Sequence, residues 1–329
     1  MTGNELTRAI LLGVATGDAL GVPVEFSWRH ERDDDPVYTM RGYGTYNQPP
    51  GTWSDDTSLT LCLAESLAEC GGLDTADLAA RFVRWHAEAY WSARGEVFDI
   101  GVNTARATSR LASGMEPEHC GADDEMSNGN GSLMRILPLL VLTLGTTPEH
   151  AYALASRCSA LTHGHVRSRL ACTYYLVFAE CLLNGDQPAQ AYAKTNQTLR
   201  ALLRTEPVRR DVERLSSYET EHRAFARVLN GDLADLPRDG VDSSGYLMHC
   251  LEASLWCILR ADGYADAIQR AVNLGRDTDT TAAVTGGLAA LRYGADSIPR
   301  AYLDALARRA DIEALAERLA WRIPGVRSA

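Results

Sequence analysis

Two short segments carry the residues best placed to do chemistry. The first is Gly51-Thr52-Trp53-Ser54-Asp55-Asp56-Thr57, and the second is Gly275-Arg276-Asp277-Thr278-Asp279-Thr280-Thr281. Each packs two carboxylates and several hydroxyls into a few residues, immediately before an apolar helical run. A single Asp, Ser or Thr at such a place is explained by capping, because its oxygen accepts an orphan backbone N–H and suits the helix dipole. Two adjacent carboxylates ask for more, since they repel each other unless a cation neutralises them. A hard divalent cation takes oxygen ligands from carboxylates and hydroxyls. Two acidic segments suit two such ions about 3.5–4 Å apart, a spacing that bridges and activates a water. Cysteine and histidine do not accompany the segments, which argues against zinc and towards Mg²⁺ or Mn²⁺. The acidic loop spacing of an EF-hand is missing.

The elements that must position these residues read as helices nearly throughout. Leu6, Ile10, Leu11 and Val14 recur at helical spacing, as do Leu59, Leu63 and Leu67, then Leu78, Phe82 and Trp85. Further apolar helical runs cover Leu133–Leu144, Ala151–Ala160, Arg169–Leu183, Leu247–Leu259, Ala265–Leu274, Thr280–Leu291 and Ile312–Trp321. No series of alternating strands appears. Arg29–Gly51, Ser113–Gly131 and Asp235–Gly245 read as long polar loops, a kind that often carries function. No internal repeat or low-complexity linker divides the chain. The expectation is one all-α domain over residues 1–329, a compact orthogonal helix bundle, with Glu206–Arg238 as a charged, peripheral excursion.

Composition narrows the function classes. The 329 residues are 46% hydrophobic and 23% charged, with a formal net charge of −11. So acidic a chain is a poor partner for a nucleic-acid backbone, which needs clustered Lys and Arg. The eight cysteines form no CxxC pair and sit mostly in apolar stretches, the pattern of reduced core thiols in a cytoplasmic protein. No signal peptide opens the chain, and Asp18 and three glycines interrupt the apolar stretch Ala9–Val24, so no membrane span is expected.

Seven segments together resemble the ADP-ribosylglycohydrolase family, of the dinitrogenase-reductase-activating glycohydrolase and ADP-ribosyl-acceptor hydrolase type. They run from Gly13-Val14-Ala15-Thr16-Gly17-Asp18-Ala19-Leu20-Gly21-Val22-Pro23-Val24-Glu25 through the first acidic segment to Phe98-Asp99-Ile100-Gly101. Then come Asn128-Gly129-Asn130-Gly131-Ser132-Leu133-Met134-Arg135, Thr162-His163, Ser244-Gly245-Tyr246 and the second acidic segment. Each match is weak alone; in order, across nearly the whole chain, they are specific. The resemblance implies a helical bundle around a dinuclear Mg²⁺ site, with Mn²⁺ as an alternative ion. It implies Ser54, Asp55 and Asp56 as metal ligands on one side and Asp277, Asp279 and Thr280 on the other. Position 54 is more often Thr in the family, and Ser keeps the hydroxyl.

The same resemblance implies further roles. Glu25, Asp99, Asp55 and Asp279 form the catalytic set, Glu25 from a gating loop and Asp99 near the scissile bond. Asn128, Gly129, Gly131 and Ser132 form a loop whose backbone approaches a diphosphate, which glycine permits and a following helix start favours. His163 lines the ribose–phosphate pocket, and Tyr246 stacks on adenine. The expected reaction is hydrolysis at the anomeric carbon of the distal ribose, through an oxocarbenium-like transition state, with ADP-ribosylarginine as the leading substrate and ADP-ribose as product. Serine-linked ADP-ribose and O-acetyl-ADP-ribose remain open acceptors. Family analogy adds an ADP-ribosyltransferase toxin or its targets as partners. The rival readings are a non-catalytic ADP-ribose- or toxin-binding protein on the same fold, and a dinuclear phosphoesterase.

Overall fold

The computed structural model describes residues 1–322. Seventeen helices follow one another: α1 (Gly3–Gly21), α2 (Arg29–Asp34), α3 (Asp55–Cys70), α4 (Thr75–Glu88), α5 (Val102–Ala112), α6 (Leu140–Thr143), α7 (Pro148–Ala160), α8 (Val166–Leu183), α9 (Pro188–Leu202), α10 (Glu206–Leu215), α11 (Tyr218–Ala224), α12 (Ala226–Leu229), α13 (Leu247–Arg260), α14 (Tyr264–Val272), α15 (Thr278–Tyr293), α16 (Arg300–Ala305) and α17 (Arg309–Arg322). Among the described residues the only β pairing is two isolated bridges, Ala122 with His163 and Gly129 with Tyr246. The all-α expectation holds, and the buried apolar side chains form one contiguous core.

The centre of the bundle is the pair α1 and α15, flanked by α17, α3, α13 and α14. Glycines at helical spacing on α1 let the two backbones touch. A Cβ on Gly13 would lie 2.6 Å from the Gly286 carbonyl oxygen, one on Gly17 would overlap the Ala282 carbonyl, and one on Gly21 would lie 2.5 Å from the Asp279 Cα. Side chains keep most helix axes 8–10 Å apart; here their removal brings the start of α15 onto the end of α1. α1 is long and apolar enough, by length and composition, to cross a membrane, but most of that stretch is buried inside the bundle.

Three expectations need correction. Leu133–Leu144 is not one helix: it is a turn, a 3₁₀ turn at Leu137–Leu139 and the four-residue α6. Pro138 lacks an amide donor, and the apolar run reflects burial rather than helical periodicity. The loop expected at Arg29–Gly51 begins with α2, whose first turn closes when the Glu31 carboxylate accepts the Trp28 N–H at 2.5 Å. Glu206–Arg238 is not a solvated excursion. Val208, Val212, Phe225, Val228 and Leu233 belong to the core, and the fully buried Glu221 pairs with Arg167 at 2.9 Å.

Candidate active site

Both acidic segments begin central helices. Ser54 caps α3, its hydroxyl accepting the Asp56 N–H at 3.2 Å, and Asp55 and Asp56 occupy the first turn. Asp277 precedes the first residue of α15, and Asp279 and Thr280 lie in its first turn. The structure brings the two starts together: oxygens of Asp56 and Asp279 lie within 4.8 Å of each other, as do oxygens of Asp279, Glu25 and Asp99. Asp279 is common to both groups.

Asp18, on α1, joins Asp56 and Asp279 in the first of these groups. It was absent from the ligand set read from sequence. Its carboxylate accepts the Ser54 N–H at 3.0 and 3.1 Å, the Thr57 N–H at 3.0 Å and the Thr57 hydroxyl at 2.5 Å. Asp18 therefore pins the start of α3, and with it Asp55 and Asp56, to α1. A lone aspartate interrupting the apolar stretch Ala9–Val24 was the available signal.

The electrostatics of the cluster are those of a cation site. Burial is the largest cause raising the pKa of Asp55, Asp56, Asp277 and Asp279, and the neighbouring carboxylates add to it for Asp55, Asp56 and Asp279. Burial lifts Asp18 to about 7 despite its hydrogen bonds from Thr57 and Ser54. Both oxygens of Asp279, and one each of Asp56 and Asp277, are buried without a hydrogen-bond partner. Buried carboxylate oxygens are normally satisfied. Orphaned acceptors converging from two helix starts are the donor set that a hard divalent ion takes, so the residues fit such an ion.

A cleft of about 600 Å³ opens beside this cluster. Of the residues expected in the site, Glu25, Asp55, Asp99, Gly129, Gly131, His163, Asp277 and Thr280 line it. Ser54, Asp56 and Asp279 are buried and do not line it. Glu25 and Asp99 are linked through Tyr46, whose hydroxyl lies 2.6 Å from an oxygen of each. One phenolic proton serves only one of two acceptors at a time, so the second short contact requires a proton on a carboxyl. Burial, then Asp99 and Asp277, raises Glu25 to about 9, which supplies that proton. Tyr46 was not singled out from sequence; it lies in a tyrosine- and glycine-rich loop with no period to mark it.

The 128–132 loop is held from behind. Its Asn130 N–H donates to the Gly245 carbonyl at 3.1 Å, and the Asn130 amide donates to Asp277 at 2.8 Å. The buried guanidinium of Arg135 donates to the Gly131 carbonyl and, at 3.3 Å, to that of Cys158. A Cβ on Gly131 would lie 2.8 Å from the His163 ring, so only glycine lets the backbone pass there. His163 itself donates or accepts at Thr162 (2.8 Å), and burial with nearby Arg135 lowers its pKa to about 3, so the ring is neutral.

Besides Ser54, Asp56 and Asp279, three residues expected to bind substrate do not line the cleft. The Asn128 amide bonds the Glu125 carbonyl at 3.0 Å and its oxygen accepts from Ser168 at 3.2 Å. Ser132 is fully buried, its hydroxyl 3.6 Å from the Cys172 thiol. Tyr246 accepts from Arg167 at 3.1 Å and packs edge-on to His249. All three brace the loops that do line it. The rim that sequence reading did not identify is Phe26, Trp28 and Arg276.

Comparison with known proteins identifies the family. The family model for ADP-ribosylglycohydrolase matches residues 3–328. The chain belongs to the ADP-ribosylglycohydrolase family. It is 32% identical over 318 residues to the ADP-ribosylarginine hydrolase Tri1 of Serratia proteamaculans, covering 96% of this chain and 79% of that protein. It is 30% identical over 319 residues to the ADP-ribosyl-[dinitrogen reductase] glycohydrolase of Rhodospirillum rubrum, covering 95% of each. A solved structure described as an ADP-ribosylglycohydrolase-related protein complex superposes with a TM-score of 0.78 at 33% identity, covering 98% of this chain and 99% of the other.

Proposed function

We propose that this protein is a metal-dependent hydrolase that removes ADP-ribose from modified arginine side chains. The observation that carries the reading is the convergence of buried, unpartnered carboxylate oxygens of Asp56, Asp277 and Asp279 beside a cleft lined by Glu25 and Asp99, which the Tyr46 hydroxyl bridges. The names of the relatives support the acceptor: two of them are ADP-ribosylarginine hydrolases, at 32% and 31% identity.

In this reading Ser54, Asp55, Asp56, Asp277, Asp279 and Thr280 hold the metal, Mg²⁺ or Mn²⁺. Ions bound there orient ribose hydroxyls and acidify a water. The chain does the rest. The Gly129–Gly131 backbone and neutral His163 receive the ribose–phosphate portion, with Asn128, Ser132 and Tyr246 fixing those loops. Water adds its oxygen to the anomeric carbon, the bond from that carbon to the guanidino nitrogen breaks, and one water proton ends on the leaving nitrogen. Glu25, Tyr46 and Asp99 are the groups placed to take and return that proton. Clustered carboxylates also favour the positive charge that develops on the ribose ring. The partners are an ADP-ribosylated protein and, by family analogy alone, an ADP-ribosyltransferase toxin or its targets; the cytoplasm is the proposed location.

The test is release of free ADP-ribose from an arginine-ADP-ribosylated protein by wild type and by Asp279→Ala. Turnover should need added metal and should vanish in the variant. Equal turnover in both would remove the proposal.

A further inference from the structure

Three non-glycine residues around the cleft have a left-handed backbone: Phe26 (φ 65°), Asp99 (φ 54°) and Arg276 (φ 63°). Only glycine enters that region freely, and such strain collects where function requires it. Arg276 is held there by its own main chain. Its carbonyl accepts the Phe26 N–H at 2.6 Å, and its N–H donates to the Ser27 carbonyl at 2.6 Å. The side chain reaches the rim of the cleft, where the guanidinium lies over the Trp28 ring, 5.4 Å from its centroid. Among the described residues Arg276 makes no ion pair, and it is the one arginine or lysine lining this strongly acidic cleft. Ser244, Gly245 and Gly129 line the same cleft, with the Gly245 carbonyl accepting from the Asn130 N–H.

We infer that Arg276 is a specificity-determining residue that pairs with the diphosphate of the bound ADP-ribosyl group. The inference rests on the functional reading above. A guanidinium over an aromatic face spends none of its N–H donors on that contact, and a guanidinium matches phosphate oxygens through two parallel hydrogen bonds. A diphosphate is the one part of ADP-ribose that an acidic cleft would otherwise repel. A cationic acceptor side chain, by contrast, would be repelled by Arg276, so the residue also sets which end of the ligand faces the rim.

The test is titration of the full chain, in Mn²⁺, with ADP-ribose, comparing wild type with Arg276→Ala, Arg276→Lys and Arg276→Gly. The Ala and Gly variants should bind about tenfold more weakly, and added salt should narrow the gap. The Lys variant should fall between. Arg276→Gly should be at least as heat-stable as wild type, because glycine relieves the left-handed strain. The Mn²⁺-induced rise in Tm should be unchanged in all three. In turnover, KM should rise more than kcat falls. Wild-type affinity for ADP-ribose in Arg276→Ala overturns the inference and leaves the hydrolase reading intact. So does a variant that loses the Mn²⁺ response, since Arg276 would then act through Asp277. A folded, metal-loaded wild type that binds no ADP-ribose overturns both.

Discussion

Gly21, the last residue of α1, and Asp279, in the first turn of α15, meet backbone to backbone: a Cβ on Gly21 would lie 2.5 Å from the Asp279 Cα. Thr278 fastens the contact, its hydroxyl donating to the Gly21 carbonyl at 2.8 Å. That closeness places Asp279 against the residues α1 carries, Asp18 at one turn's remove and Glu25 just beyond the helix end. Gly21→Ala should therefore destabilise by about 1–3 kcal/mol, the usual range for overpacking. Because the methyl pushes on Asp279 itself, metal affinity should fall as well. Denaturant titration with and without Mg²⁺ checks both; a stable variant with unchanged metal response contradicts the contact's role.

Asp279→Asn separates stability from function. The aspartate is fully buried, both its oxygens lack partners, and its neighbours are carboxylates. In chelator the amide removes like-charge repulsion, so Tm should rise by about 2 °C or more. Turnover should fall at least about a thousandfold, the equivalent of several kcal/mol of lost transition-state stabilisation. Thermal melts in EDTA and rate assays in Mg²⁺ read the two effects. A variant less stable than wild type in EDTA would mean that the cluster is satisfied by its own fold.

The pH dependence of the chelated protein follows from the same groups. Asp18 and Glu25 have folded pKa values of about 7 and about 9, both raised above the ordinary carboxylate range by burial. The folded state therefore binds more protons than the unfolded one, and stability falls as pH rises. Going from pH 9 to pH 7 in EDTA should raise Tm. His163, lowered to about 3, acts in the opposite sense: below about pH 6.5 the unfolded chain takes up a proton that the folded ring refuses. The gain should therefore flatten or reverse under acid conditions. With saturating Mg²⁺ the alkaline loss should disappear, because the metal replaces the protons. Melting curves in EDTA that are flat between pH 7 and pH 9 would contradict this.

Tyr46→Phe removes the hydroxyl that joins Glu25 to Asp99. The kcat should fall about a hundredfold or more, as for loss of a positioned proton-transfer group, and the pH–rate profile should shift because the two carboxyls no longer share that bridge. Phe98 packs on the Tyr46 ring at 4.9 Å and still holds the phenyl group. A fall in kcat with an unmoved pH profile would assign Tyr46 to packing alone.

Much of the acidic cluster was legible in the sequence because its residues are local. Ser54-Asp55-Asp56 and Asp277-Thr278-Asp279-Thr280 each lie within one helical turn, so adjacency alone marks them, and the apolar runs behind them mark α3 and α15. What was not legible is long-range. Asp18 looks like a stray charge until α3 docks on its carboxylate, and Tyr46 is one tyrosine in an aperiodic loop until it meets residues 21 and 53 positions away. Asn128, Ser132 and Tyr246 sit in the right loops, but side-chain direction is set by packing, and theirs turn away from the cleft. Glu206–Arg238 hid its core contacts because its apolar residues are sparse among charges, yet α10 still buries Val208 and Val212.

Hydrolysis is distinguished from binding by incubating the protein with an arginine-ADP-ribosylated protein, in Mg²⁺ and in EDTA, and measuring free ADP-ribose. Serine-ADP-ribosylated peptide and O-acetyl-ADP-ribose serve as parallel substrates. Release from the arginine-linked substrate is expected in Mg²⁺ and none in EDTA. No release from any of the three by folded, metal-loaded protein that binds ADP-ribose would contradict it and assign the fold to binding without turnover.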